Sequence, residues 1–302
     1  MMKKRLAALV AVLGVLLGLA GPARALSIGA NVTGQTDTGG AVTDAKSGPP
    51  PATVKAVAAS YGIYSTTGGV ATTASDLSTA VYAGGEGWGW NDGYSAQAVS
   101  TWSLGISNTT AGAQAYTLDL SIVGGSLFTY LDDWAVPGDF ATASISLEVT
   151  LDSSIVWSNT TTLHQPYPST TPATLTATGT STTPFGGGLP TPGPGGTYYN
   201  WSAFNLSIPL GTLAAGSSST VGYTLTASVS GLNNSLYASS YAKLGDPSQL
   251  YSTGGGGPFY GTGTGASITS SPAAVPEPST LLLTGAAVFL GLTAAGRLGR
   301  SA

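Results

Sequence analysis

Five segments of the chain alternate apolar and polar residues with a period of two. In 114–123 the apolar positions are Tyr116, Leu118, Leu120 and Ile122. In 141–151 they are Ala143, Ile145, Leu147, Val149 and Leu151, and in 201–210 Phe204, Leu206, Ile208 and Leu210. Val221, Tyr223, Leu225, Ala227 and Val229 form a fourth set, and Trp102, Leu104 and Ile106 a fifth. Successive side chains of a strand point to opposite faces, so this period predicts strands with one buried and one wet side. Weaker strand signals lie at 28–33, 80–83, 155–163, 174–180 and 266–269. Within 174–180, Thr174, Thr176, Thr178 and Thr180 share a side, as the wet face of a strand would. Helix is expected only in short pieces, at 52–60 or 236–244.

About ten such strands, joined by turns rich in Gly, Pro and Ser, predict an all-β body. Its expected form is an antiparallel β-sandwich or jelly roll. Turn signals sit at Ala214-Ala215-Gly216, at Asn108-Thr109-Thr110 and at Asp246-Pro247. The Pro- and Gly-rich run 184–196 reads as a long loop within one domain or as a boundary between two.

Composition narrows the chemistry. Of 302 residues only 7% are charged, against about 25% in an ordinary soluble domain. Cysteine is absent and histidine occurs once. A disulfide framework, a Cys-based metal site, a cysteine nucleophile and a His-rich metal site are therefore excluded. Between Leu26 and Val275 the cations are Lys46, Lys55 and Lys243, against twelve acids. An acidic body of this kind repels nucleic acid, which is not expected as a partner.

The remaining cations cluster at the two ends. Lys3, Lys4 and Arg5 precede an apolar run from Leu6 to Ala20, and Ala23-Arg24-Ala25 gives a small-x-small cleavage pattern. Residues 1–25 thus read as a secretory signal peptide, whose apolar run is short for a membrane span of about 20 residues. At the other end Pro276, Glu277 and Pro278 precede the uncharged apolar run Leu281–Ala295, then Arg297 and Arg300. Residues 279–298 are long enough for a transmembrane helix, with the arginines on the cytoplasmic side.

This tail closely resembles the PEP-CTERM sorting signal of Gram-negative bacteria. The resemblance covers 275–302 and implies an exosortase as processing partner, with delivery to the cell surface or an exopolysaccharide matrix. The prolines disfavour helix and hold the Pro-Glu-Pro strip extended, in the form a protease binds. The expected organisation is a signal helix (1–25), a β-sandwich body (26–274) and a sorting signal anchored in the inner membrane before processing.

Three groups of side chains in the body invite a functional reading. Trp88 and Trp90 alternate with glycine beside Glu86 and Tyr94, which would suit stacking on sugar rings or, equally, capping of the core. Asp132, Asp133 and Asp139 place three carboxylates close together, a set that could take Ca²⁺ or could cap a turn. His164 lies in an expected surface turn, and no Gly-x-Ser-x-Gly elbow accompanies it. Six of the eight asparagines stand in Asn-x-Ser/Thr: Asn31, Asn108, Asn159, Asn200, Asn205 and Asn233. Glycosylation and simple clumping of Ser and Thr both account for them.

The expected function is a non-enzymatic surface or matrix protein linked to exopolysaccharide, with no obligatory cofactor. The alternative is a carbohydrate-binding module that uses Trp88, Trp90, Tyr94 and Glu86, with calcium at the aspartates. A secreted hydrolase is the third reading, with Glu86 and Glu148 among its few carboxylates.

Overall fold

The alternating segments pair into three antiparallel sheets. The computed structural model describes residues 27–37, 39–48, 53–62, 65–74, 77–88, 91–193, 195–245 and 264–272. The expected signal peptide and sorting tail lie outside the described residues. The first sheet runs β11 (Thr174–Gly179), β10 (Ser154–Pro166), β9 (Phe140–Leu151), β15 (Ser218–Asn233), β6 (Asp92–Ser107), β1 (Ser27–Thr36) and β2 (Gly40–Gly48). The second runs β12 (Thr191–Gly193), β13 (Gly196–Trp201), β8 (Gly125–Leu131), β16 (Ala238–Leu244), β5 (Thr79–Gly87), β4 (Ser65–Ala74) and β3 (Thr53–Tyr61). The third has β14 (Phe204–Leu213), β7 (Gln114–Ile122) and β17 (Gly265–Pro272). The body is all-β and sandwich-like, as the periodicity predicts.

Two strands of 16 residues, β6 and β15, pair along their whole length at the centre of the first sheet. One end of this pair faces the second sheet. There Tyr94 OH and Ser240 Oγ are 3.0 Å apart, and Asn233 Nδ2 donates to Gly87 O at 3.3 Å. The other end meets the third sheet, where Tyr116 OH donates to Ser107 O at 3.0 Å. Thr79 and Thr264 exchange backbone hydrogen bonds and join the second and third sheets. The first sheet is thus covered by two shorter ones placed end to end.

The core changes thickness along this axis. Beneath the second sheet it is lined by Ala30, Ala56, Ala58, Ala71, Ala83 and Ala98. A Cβ on Gly69 would stand 3.2 Å from Val32 Cγ1 and 3.3 Å from Ala98 Cβ. Cα atoms of β1 and β4 approach within 8 Å, closer than the ~10 Å usual between packed sheets. Toward the third sheet the lining is Leu104, Ile106, Leu118, Leu120, Ile122 and Ile208. Trp102 and Tyr223 stack there, with centroids 5.0 Å apart and planes 5° off parallel.

Where the sheets approach, hydroxyls fit the core because they reach the opposite backbone. Thr73 Oγ1 donates to Gly29 O at 2.8 Å and lies 2.5 Å from Ser100 Oγ. Ser100 Oγ in turn donates to Thr72 O at 2.7 Å. A buried hydroxyl with such partners avoids the cost of an unpaired polar group.

Several local expectations are corrected. The described part of 52–60 lies in strand β3, and 236–244 holds strand β16; neither is a helix. Lone Ala and Leu content misleads there, because the tertiary ladder overrides propensity. His164 lies within β10 rather than in a turn, with Nδ1 2.8 Å from Thr142 Oγ1. The run 184–196 carries a short 3₁₀ turn, Phe185–Gly187, and Phe185 is buried in the same core cluster as strands on either side of it. Pro209 sits on the edge strand β14 beside a register shift, where no ladder N–H is required. Ala214–Ser217 makes the expected reversal, with Ser217 N donating to Ala214 O at 3.1 Å.

The Thr73–Ser100 pair gives a direct test. Thr73→Val should lower the unfolding free energy by about 1–2 kcal/mol, because it removes the hydroxyl that donates to Gly29 O and leaves Ser100 Oγ with Thr72 O alone. Ser100→Ala should cost less in the Thr73→Val background than on its own in a urea-denaturation double-mutant cycle. Additive losses would show that the two hydroxyls act independently.

Candidate functional site: the outer face of the second sheet

Strand alternation decides which of the candidate aromatics are available. On β5, Val81, Ala83 and Gly85 turn to the core, and Tyr82, Gly84 and Glu86 turn outward. Trp88 follows β5 directly, two positions beyond Glu86, and is 39% exposed. Trp90 lies outside the described residues. Tyr94 is the correction in this group: it is 3% exposed and belongs to the core. A Cβ on either Gly85 or Gly231 would overlap its ring. Burial raises the Tyr94 phenol well above its ordinary range.

Glu86 instead keeps company with aromatics that the sequence reading did not single out. The cross-strand register sets Gly68, Gly84, Tyr241, Phe128 and Tyr198 in one row across β4, β5, β16, β8 and β13. Phe128 stacks on Tyr241, with centroids 5.0 Å apart and planes 19° off parallel. Phe128 and Tyr198 centroids are 4.7 Å apart. In the adjacent row, Glu86 pairs with Thr66 and Ser239, and Ser239 with Tyr130. Tyr237 OH donates to Glu86 Oε2 at 2.7 Å, and Thr66 Oγ1 donates to Oε1 at 3.2 Å. Burial, then the hydrogen bond to the carboxylate, pushes the Tyr237 phenol up to about 12.

A hollow of about 500 Å³ opens on this face. Its lining includes Tyr61, Tyr82, Glu86, Phe128, Tyr237 and Tyr241, and among the described residues Glu86 is the only charged one in it. That volume falls in the range of small-ligand sites, about 300–1,000 Å³. The sequence signal was present in Phe128 and Tyr130 on β8 and in Tyr237 and Tyr241 around β16. These are aromatic residues at period two on the side opposite the core residues Leu127, Leu131, Ala238 and Ala242.

The aspartates are not brought together. Among the described residues no group of three or more His, Asp or Glu side chains could hold a metal ion. Asp139 is 2% exposed, and its carboxylate accepts from Val136 N, Asn234 N, Asn234 Nδ2 and Ser235 Oγ at 2.8–3.0 Å. It ties the loop after β8 to the loop before β16. Asp132 Oδ1 accepts from Trp134 N at 2.9 Å, and Asp133 Oδ1 from Ser169 Oγ at 3.5 Å. Glu148 lies on the outer face of the first sheet, so the sandwich separates it from Glu86.

Three of the Asn-x-Ser/Thr sites form a repeated device. Asn108, Asn159 and Asn233 are buried. In the first two, Thr110 or Thr161 two residues on donates to the asparagine Oδ1 at 2.7–2.9 Å, and in the third Ser235 Oγ shares its one proton between Asn233 Oδ1 and the Asp139 carboxylate, each 3.0 Å away. The amide nitrogen then donates to backbone carbonyls: Gly112 and Leu213 for Asn108, Ser181 and Thr183 for Asn159, and Gly87 for Asn233. The spacing that marks a glycosylation acceptor here closes loops. Asn31, Asn200 and Asn205 are exposed.

A comparison with protein-family models and with curated proteins finds no match to this chain.

Two measurements follow. Alanine at Asn108, Asn159 or Asn233 should cost about 1–3 kcal/mol each in chemical denaturation. Alanine at Asn31, Asn200 or Asn205 should change stability by about 0.5 kcal/mol or less. Alkaline titration tests the tyrosines: raised phenols favour the neutral, folded form, so stability should hold below pH ~10. It should fall as the pH climbs toward about 12, where Tyr237 ionises. Tyrosinate absorbance that rises in step with unfolding would verify this.

Proposed function

We propose that this chain is an exported surface or matrix protein that holds exopolysaccharide on the outer face of its second sheet, without catalysing a reaction. A PEP-CTERM-like tail, Pro276 to Arg300, delivers it, with an exosortase as the processing enzyme. The observation that carries the binding reading is the aromatic row Tyr241, Phe128 and Tyr198 beside Glu86 on a sheet face that the core does not use. Aromatic rings offer apolar area together with polar edges, which suits sugars. A two-carboxylate hydrolytic mechanism needs a second acid or base near the first, and among the described residues Glu86 is the only carboxylate of the hollow. This supports a binding role over a hydrolytic one.

The test follows the chain in its host. Replacing Pro276, Glu277 and Pro278 together by alanine should leave an unprocessed precursor in the inner membrane, detected by immunoblot of membrane and matrix fractions. The unaltered chain should appear in the matrix fraction and co-sediment with purified host exopolysaccharide. Normal processing of the triple variant would overturn the sorting reading. Failure to co-sediment would overturn the polysaccharide reading.

A further inference from the structure

Within the aromatic face, one position differs from the rest. On Gly84 a Cβ would overlap the Tyr82 hydroxyl and stand 2.9 Å from Cζ and 3.2 Å from Cε1. The Tyr82 ring therefore leans along β5 over the bare glycine and lies along the sheet instead of standing on it. Beside it, Tyr241 is registered opposite Gly84 and propped from behind by Phe128. One residue pair further along β5, Glu86 is held by Tyr237 and Thr66. Each carboxylate oxygen carries two lone pairs, so one donor on each leaves further acceptor capacity.

Floor, wall and acceptor together match one chemical object. A pyranose ring has an apolar C–H face, a rim of hydroxyl donors and a thickness that a stacked aromatic accommodates. We propose that Tyr82 over Gly84, flanked by Tyr241 and Glu86, is a subsite for an uncharged hexopyranose unit of a polysaccharide chain. Charge sets the class. Among the described residues the single charge of the hollow is the Glu86 carboxylate, which accepts hydroxyl donors and repels the carboxylates of a uronate polymer. This assignment rests on the polysaccharide reading above and names the sugar it takes.

The test uses the full chain in mild detergent. Isothermal titration is run with cellohexaose, maltohexaose, laminarihexaose and the acidic hexagalacturonate, and co-sedimentation with the host exopolysaccharide is run in parallel. At least one neutral hexasaccharide should bind ten-fold or more tighter than hexagalacturonate. Tyr82→Ala should weaken that binding at least ten-fold, Tyr82→Phe by no more than about three-fold, and Glu86→Gln by three-fold or more. Thermal melts of every variant separate lost folding from lost binding. If Tyr82→Ala does not fold, Glu86→Gln and Tyr82→Leu carry the same decision. Co-sedimentation with host polymer but no binding of any neutral hexasaccharide would overturn the neutral class alone. Unchanged affinity in folded Tyr82 and Glu86 variants would overturn the subsite alone. Absence of binding to every glycan, host polymer included, would overturn the general reading with it.

Discussion

The ladder between β6 and β15 is the element on which the other sheets rest. Each strand is 16 residues long and pairs with the other throughout. That is about 50 Å of continuous β-structure at ~3.3 Å per residue. Neither the second nor the third sheet covers such a length alone. The chain solves this with two covering sheets that meet at the Thr79–Thr264 bridge. Losing the register of the long pair would turn its apolar side outward along both halves of the core at once.

A sequence with few charges and much Gly, Ala, Ser and Thr forms a core in an unusual way. Under the second sheet the side chains are short, so the backbones come close enough for buried hydroxyls to reach across. Thr73 and Ser100 stitch the two sheets with hydrogen bonds where a bulkier core would use apolar contact. The buried asparagines do similar work at loop bases, each held by its own downstream hydroxyl. Hydrogen bonding thus takes a larger share of specificity at this end, and Leu and Ile packing a larger share at the other.

Much of the fold was legible in the sequence, because a period of two over nine or more residues has few other readings. The segments around Leu118, Ile145, Ile208 and Leu225 became β7, β9, β14 and β15 with the expected faces inward. Residues 52–60 and 236–244 were misleading, because Ala and Leu suit a helix locally and only the ladder makes them strands. The site was half legible. Glu86 and Trp88 do stand on or next to the outer face of the second sheet. Tyr94 was misassigned because Trp88-to-Tyr94 spacing cannot reveal that the chain turns between them and enters β6 facing the core. The partners of Glu86 are Thr66 on the preceding strand β4 and Tyr237 just before β16, the latter distant in sequence, and only register brings them to it. The three aspartates are near neighbours in sequence, yet their partners diverge: Asp132 holds its own turn, Asp133 meets Ser169, and Asp139 reaches Asn234 and Ser235.

Gly84 and Gly85 stand side by side in β5, and each makes room for a different tyrosine. Gly84 leaves space for Tyr82 outside the sheet, and Gly85 leaves space for Tyr94 within the core. At this dipeptide the wall between interior and surface is a bare main chain. Drift in the protein's sequence has no foothold there: a methyl group at the first glycine lifts an outer ring, and at the second it displaces a buried one. This stretch is therefore constrained from both sides, and a newly acquired ligand preference would have to arise on the neighbouring strands.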